Sequence, residues 1–282
     1  MVRSSAVLVF KISIAYTPQR AKFEAVATGT PEAVIPLLAE LGYDGVELSL
    51  LDPSDLPGLV ALARDHGLEV PAVGTGLNYL HLGLDLTSPD ENVRKRARER
   101  LLEFVENAGR SEVAGVIVGL IRGRGDGYSK TSEALKVLEE QLRVICRGAL
   151  DYGVKILLEP LNRYESMLLN TVAEALEFIS RLDCEKAYLL LDTFHMNIEE
   201  PVIEDSIRMA GGRIGHFHIA DSNRYAPGMG HLDFSSILSA LHDTGYRGFI
   251  SAEVIVKPDF ETVAKLTLST LKIAMSGLTR EG

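Results

Sequence analysis

The sequence predicts a single-domain (β/α)8 (TIM) barrel, and three observations predict it. Short β-rich runs recur eight times, each is followed by a longer stretch of helical periodicity, and glycines stand where those helices should stop. A chain of 282 residues with 46% apolar side chains is long enough for one large core or for two modest domains. The unbroken alternation decides for one. An open doubly wound sheet would need its edge strands managed, and neither end of this series looks blunted.

The expected strands are 9–16 (VFKISIAY), 45–50 (GVELSL), 69–74 (EVPAVG), 113–120 (VAGVIVGL), 154–160 (VKILLEP), 187–193 (AYLLLDT), 214–220 (IGHFHIA) and 248–255 (GFISAEVI). The expected helices lie near 31–41, 53–66, 89–109, 130–151, 171–182, 201–211, 234–244 and 259–277. Pro36 falls inside the first helix and argues for a start later than Pro31. Ser88-Pro89-Asp90-Glu91 offers a capping serine, proline at the first helical position and glutamate at the third. Thr171-Val172-Ala173-Glu174 repeats the capping-box pattern. In the fourth helix Leu138, Leu142, Ile145 and Ala149 make one apolar face, with Glu139, Glu140, Arg143 and Arg147 directed elsewhere. Gly42, Gly67, Gly153, Gly212 and Gly245 are the expected helix stops.

A net charge of −10 argues against an extended phosphate backbone as partner, so no nucleic-acid role is expected. No window approaches 18 consecutive apolar residues, and no membrane span is expected. The opening MVRSSAVLVFKISIAY reads as a short leader and then the first strand, because Lys11 interrupts the apolar run and no small-residue cleavage site follows it. Cys146 and Cys184 have no metal-site or disulfide-framework spacing, and reduced thiols in a cytoplasmic protein are expected.

Strands of such a barrel should be branched and apolar, yet four consecutive ones carry polar groups at their C-terminal ends: Glu159, Asp192, His218 and Glu253. Alternation pairs Leu157 with Glu159, Leu190 with Asp192, His216 with His218 and Ser251 with Glu253 on shared faces. If those faces point inward, the four groups converge on the barrel mouth. Three carboxylates and an imidazole suit one divalent ion, Mn, Mg or Co, with positions left for substrate oxygens. Singly, each residue has an ordinary alternative. Glu159 and Glu253 are also candidates for strand ion pairs, Asp192 for a turn cap, and His218 for a satisfied core histidine. His216 competes with His218 as ligand, the later residue standing nearer the mouth.

The stretches Glu159-Pro-Leu-Asn-Arg-Tyr-Glu165, Leu-Leu-Asp192-Thr-Phe-His195-Met-Asn, His216-Phe-His218-Ile-Ala-Asp-Ser-Asn-Arg224 and Ser-Ala-Glu253 resemble the xylose isomerase-like superfamily, most of all its D-tagatose and D-psicose 3-epimerases. LGYDGVEL at 41–48 adds a weaker match. Gly74-Thr75-Gly76 and Leu120-Ile-Arg122-Gly-Arg124 carry a closer resemblance, to the 5-keto-L-gluconate epimerase of inositol catabolism, so a keto sugar acid of the 5-keto-L-gluconate or D-tagaturonate type is the favoured substrate and a D-tagatose or D-psicose type the other. The resemblance implies that Glu159, Asp192, His218 and Glu253 hold the metal, with Mn preferred, and that Glu165, His195 and Arg224 contact the O1 to O3 end of a keto sugar. It also implies a homodimer or homotetramer. Arg122 and Arg124 are candidates for binding the carboxylate of a keto sugar acid, or else a solvated Arg-Gly-Arg loop. His231 reads as loop structure, and Tyr16 and Asn78 as pocket lining.

Two glutamates on one metal suggest a pair of opposed bases inverting C3 through a cis-enediolate. Aldose–ketose isomerisation, inosose dehydration, a multi-zinc nuclease and a non-catalytic sugar-binding barrel are the rival readings.

Overall fold

The computed structural model describes residues 10–278. The expected leader and Val9, with which the first strand was expected to begin, lie outside the described residues. The strands are β1 (Lys11–Thr17), β2 (Ala27–Thr28), β3 (Glu47–Ser49), β4 (Ala72–Gly74), β5 (Gly115–Val118), β6 (Lys155–Leu158), β7 (Ala187–Asp192), β8 (Ile214–Ile219) and β9 (Phe249–Ala252). Apart from the two-residue β2, which adds to the outer end of β1, they follow chain order around a ring that β1 and β9 close, all parallel. This is a closed (β/α)8 barrel. Each strand is shorter than its sequence run, because only the ladder-paired centre of a run is strand and its ends already turn toward the loops.

The helices are α1 (Pro31–Leu41), α2 (Leu56–Asp65), α3 (Gly76–Leu82), α4 (Glu91–Arg110), α5 (Thr131–Tyr152), α6 (Val172–Arg181), α7 (Thr193–Glu199), α8 (Ile203–Ala210), α9 (Phe234–Asp243) and α10 (Phe260–Met275). Two of them, α3 and α7, were not expected: they are short and follow β4 and β7 directly, at the C-terminal rim. The capping box at Thr171 forms, with Glu174 returning to the cap. At α4 the cap is Asp90 rather than Ser88, its carboxylate accepting from Asn92 N–H, while Ser88 accepts from Asp90 N–H in the turn before it. The first helix starts at Pro31 and carries Pro36 within it. The left-handed residue after α8 is Gly211, one before the glycine expected there.

The buried apolar residues form two layers. Ile156, Leu158, Leu189, Leu191, Phe217 and Ile219 pack outward with the helices, including Leu138, Leu142, Ile145 and Ala149 of α5. The alternate residues Ala72, Ile117, Leu157 and Leu190 form a separate cluster. Alternation therefore runs as the sequence implies, and the groups sharing parity with Leu157 and Leu190 face the barrel interior.

Cys146 and Cys184 are joined as a disulfide, Cα to Cα 6.0 Å, which corrects the expectation of two free thiols. The cause is tertiary. Arg143 of α5 donates to the carbonyls of Arg181 and Leu182, drawing the end of α6 against α5, so that Cys146, three residues further along α5, meets Cys184. Nothing in their sequence spacing announces this.

Phe178, fully buried on α6, is a measure of this packing. Phe178→Ala is expected to cost about 3–5 kcal/mol, read as a lowered urea midpoint, whereas Ile273→Ala, at a position 73% exposed, should stay within about 0.5 kcal/mol of the parent.

Candidate active site

Each acid is aimed by the strand beneath it. Glu159 follows β6 and extends its ladder by donating its N–H to Val118 O, and Glu253 does the same beyond β9 with Ile219 O. Asp192 closes β7 directly opposite His218 of β8, and His218 is level with Ser251 of β9. One ligand atom from each of Glu159, Asp192, His218 and Glu253 lies within 4.8 Å of all the others. His218 Nδ1 stands 3.9 Å from Glu159 Oε1, 3.9 Å from Asp192 Oδ2 and 3.6 Å from Glu253 Oε2.

These residues fit a divalent cation. Glu159 Oε1 and His218 Nδ1 are buried and make no hydrogen bond, and both point into the cluster. The donor set, three carboxylates and one imidazole, suits a hard or borderline ion. Asp192 performs both roles that its sequence position offered. Its Oδ1 caps α7 by accepting from Phe194 N–H at 2.8 Å, and its Oδ2 faces the cluster.

Packing like charges in a buried space shifts their protonation. Burial, then the neighbouring Glu253, push the Glu159 carboxyl well above the usual range. Burial pushes Asp192 the same way, but Arg224, His195, His218 and the Phe194 N–H together hold it below the usual carboxylate value. His218 is raised despite burial, because Glu47 and Glu253 face its ring.

The residues expected to contact substrate, Glu165, His195 and Arg224, gather beside this cluster. Arg224 donates to Asp192 Oδ2 at 2.5 Å and pairs with Glu253, while Phe194 and Phe23 flank its guanidinium at 4.8 and 5.9 Å. Its backbone is left-handed, φ 65°, a conformation rarely held by arginine. The hydrogen bonds Arg224 N–H to Asp221 O and Ile255 N–H to Arg224 O keep it there. His195 Nδ1 accepts from the backbone N–H of Asn162 at 3.3 Å, which assigns the ring proton to Nε2, 3.7 Å from Glu159. Burial lowers His195 to about 3, so this imidazole is a neutral donor aimed at the cluster. Asn162 also donates to Glu165 at 2.9 Å, and burial raises the Glu165 carboxyl.

A cleft of about 520 Å³, counted with its open mouth, joins these groups. Opposite the acids it is lined by Phe23, Ser49, Gly74, Thr75, Gly76, Leu77, Leu80 and Leu120. Glu159, Glu165, His195, His218, Arg224 and Glu253 all line it, but Arg122 and Arg124 do not. Arg122 is fully buried in the turn after β5, where its guanidinium donates to Leu169 O at 3.4 Å and its backbone N–H to Gly119 O. Arg124 is solvent-facing and pairs with Asp126. Tyr16 and Asn78 are also elsewhere, bonded to Gly29 O and Leu50 O.

Sequence reasoning passed over Glu47. This buried residue of β3 accepts from His216 Nε2 at 2.7 Å and His218 Nε2 at 3.0 Å. Burial would raise its carboxyl, but the charge of His218 and hydrogen bonds from both rings hold it far below the usual range. The available signal was one acid inside the otherwise apolar run GVELSL.

Comparison with known proteins places this geometry. Residues 35–273 match the xylose isomerase-like TIM barrel family. The chain belongs to that family. Among its characterised members, the L-ribulose 3-epimerase of Mesorhizobium japonicum is 38% identical over 227 residues, spanning 76% of this chain and 72% of that protein. The D-psicose 3-epimerase of Ruminiclostridium cellulolyticum is 33% identical over 234 residues, spanning 79% and 78%. A solved L-ribulose 3-epimerase superposes with a TM-score of 0.83 at 28% identity, covering 96% of each chain. This xylose isomerase-like barrel is an enzyme of the carbohydrate epimerase and isomerase class.

Gly119 tests the geometry of the cluster, since a Cβ there would run into Glu159 Oε2. Gly119→Ala is expected to weaken Mn(II) binding by about tenfold or more, in line with disturbed ligand support, while far-UV circular dichroism stays unchanged. Equal affinity for parent and variant would show that Glu159 is free to move aside.

Proposed function

We propose that the enzyme is a divalent-metal-dependent ketose 3-epimerase acting on a free, uncharged ketose. The observation that carries this reading is the placement of Glu159 and Glu253. They rise from β6 and β9, with β7 and β8 between them, and so approach one small site from two sides. Inversion at a carbon beside a carbonyl needs a base on each face of the reacting carbon.

Glu159, Asp192, His218 and Glu253 would hold the ion, Mn being the expected one. When bound, it would draw charge from the carbonyl and adjacent hydroxyl oxygens as the C3 proton leaves. One glutamate removes that proton, and the electron pair enters a C2–C3 double bond, giving a cis-enediolate that is flat at C3. The other glutamate delivers a proton to the opposite face and the carbonyl reforms. Which one acts first depends on the direction of reaction. His195 donates from Nε2, and Arg224 donates from a guanidinium fixed by two carboxylates and flanked by two rings, so both are suited to the oxygens at the C1–C2 end. The relatives named as L-ribulose and D-psicose 3-epimerases support inversion at C3.

The keto sugar acid suggested by the Arg-Gly-Arg stretch is disfavoured. Among the described residues the cleft is lined by no lysine and by one arginine, Arg224, already opposed by Asp192 and Glu253. Its far wall is made of Phe23, small residues (Ser49 and 74–76) and three leucines, Leu77, Leu80 and Leu120.

The test is a purified, Mn-replete assay in deuterated water, with products resolved by configuration. The C3 epimer should form carrying deuterium at C3, and activity should disappear with EDTA and return with Mn. Glu159→Gln and Glu253→Gln should each lower kcat by about 10²–10⁴-fold. An aldose product, or C3 epimer without the label, would overturn the two-base reading. In the same assay L-ribulose or D-psicose should give a higher kcat/KM than 5-keto-L-gluconate; the reverse order would restore the acidic substrate.

A further inference from the structure

Glu47 sits below the cluster, takes no place in the proton transfers, and is held by two histidines at once. Its carboxylate comes from β3, whereas both rings stand on β8, with two strands, β1 and β9, between them by the shorter way around the ring. The contact therefore crosses the barrel interior. His216 Nε2 lies 2.7 Å from Oε2, and His218 Nε2 lies 3.0 Å from both oxygens. The rings stand edge to face, 78° apart with centroids at 5.4 Å, so neither turns without displacing the other. All three side chains are buried, with exposures of 1–2%.

An imidazole ligates a metal through one unprotonated nitrogen, and the acceptor at the other nitrogen decides which that is. In His218 the Nε2–H is taken by Glu47, leaving Nδ1 directed at Glu159, Asp192 and Glu253. We propose that Glu47 is a positioning residue for the metal centre, fixing His218 in the Nε2–H form with Nδ1 toward the ion, and that His216 serves as a strut holding the Glu47 carboxylate in place. The inference rests on reading the four-residue cluster as a metal site.

Glu47, His216 and His218 are themselves close enough to hold an ion. That alternative is weaker, because an ion there beside one in the four-residue cluster would make His218 ligate through both ring nitrogens and lose both ring protons. The 2.7 and 3.0 Å separations are those of ordinary N–H to carboxylate hydrogen bonds.

The experiment titrates the metal-free full-length protein and its Glu47→Gln variant with Co(II), following the visible d–d spectrum and a competing chelator dye. One equivalent is expected in each. Glutamine offers one acceptor oxygen where the carboxylate had two, so affinity should fall about 10–100-fold with an altered d–d band. The metal-free melting temperature should stay within a few degrees. Affinity within twofold of the parent, with the same spectrum, would overturn the role of Glu47. Two equivalents in the parent and one in the variant would overturn it in favour of a second ion. If the parent binds no Co(II), the metal-site reading fails, and this inference with it. Should Glu47→Gln not fold, the parent alone decides: with ¹⁵N-labelled histidine and ¹¹³Cd, coupling is expected to Nδ1 of His218, with a slowly exchanging proton on Nε2. Coupling to Nε2 would overturn the proposal.

Discussion

Three carboxylates occupy a space in which their oxygens cannot avoid one another, and much around the barrel mouth follows from that repulsion. Asp192 remains ionised because a helix N-terminus and Arg224 face it, while Glu159, with Glu253 beside it and no hydrogen bond at Oε1, is pushed toward its protonated form. A buried cluster of this kind is costly to fold unless positive charge enters it. His218 and Arg224 supply that charge from the chain, and a divalent ion suits the atoms they leave unbonded. That repulsion is what a bound divalent cation would relieve.

Rigidity is distributed accordingly. The four clustered residues stand on strands or one residue past them, where ladder bonds fix the backbone to its neighbours. Residues suited to holding substrate are carried by the rim: Glu165 by the loop after β6, His195 by α7 and Arg224 by a turn in a left-handed conformation. Asn162 and Asp192 link the layers, the first by joining Glu165 to His195 and the second by capping α7 while facing the cluster. A change in the loop after β6 is therefore felt at His195 as well.

Much of this was legible in the sequence because the information was local. A charged residue at the end of an apolar run, repeated on four consecutive strands, needs only strand parity and the closure of the barrel to become a cluster. Features that depend on distant packing were not legible. Glu47 meets histidines some 170 positions away across the interior, and no pattern within GVELSL names its partner. The pairing of Cys146 with Cys184 depends on how the end of α6 leans on α5. Arg122 misled for a related reason: the sequence places it just after a strand, where substrate groups belong, but the turn Leu120–Arg122 sends Leu120 to the cleft and buries the arginine behind it.

The cleft also has two authors. Apart from Glu47 of β3, the acids and donors come from β6 to β9 and the segments after them, whereas the facing wall, Ser49, residues 74–77, Leu80 and Leu120, comes from the ends of β3 and β4 and the segments that follow β4 and β5. Apart from Glu47, which holds His218 from β3, the two sets share the cavity but not the hydrogen-bond network that positions the acids and donors. Recognition can therefore drift by exchange of side chains in α3 and its neighbouring loops while the chemistry stays fixed. In a lineage diverging on such a scaffold, new sugars would be acquired in the first half of the chain, and loss of the reaction would begin in the second half or at Glu47.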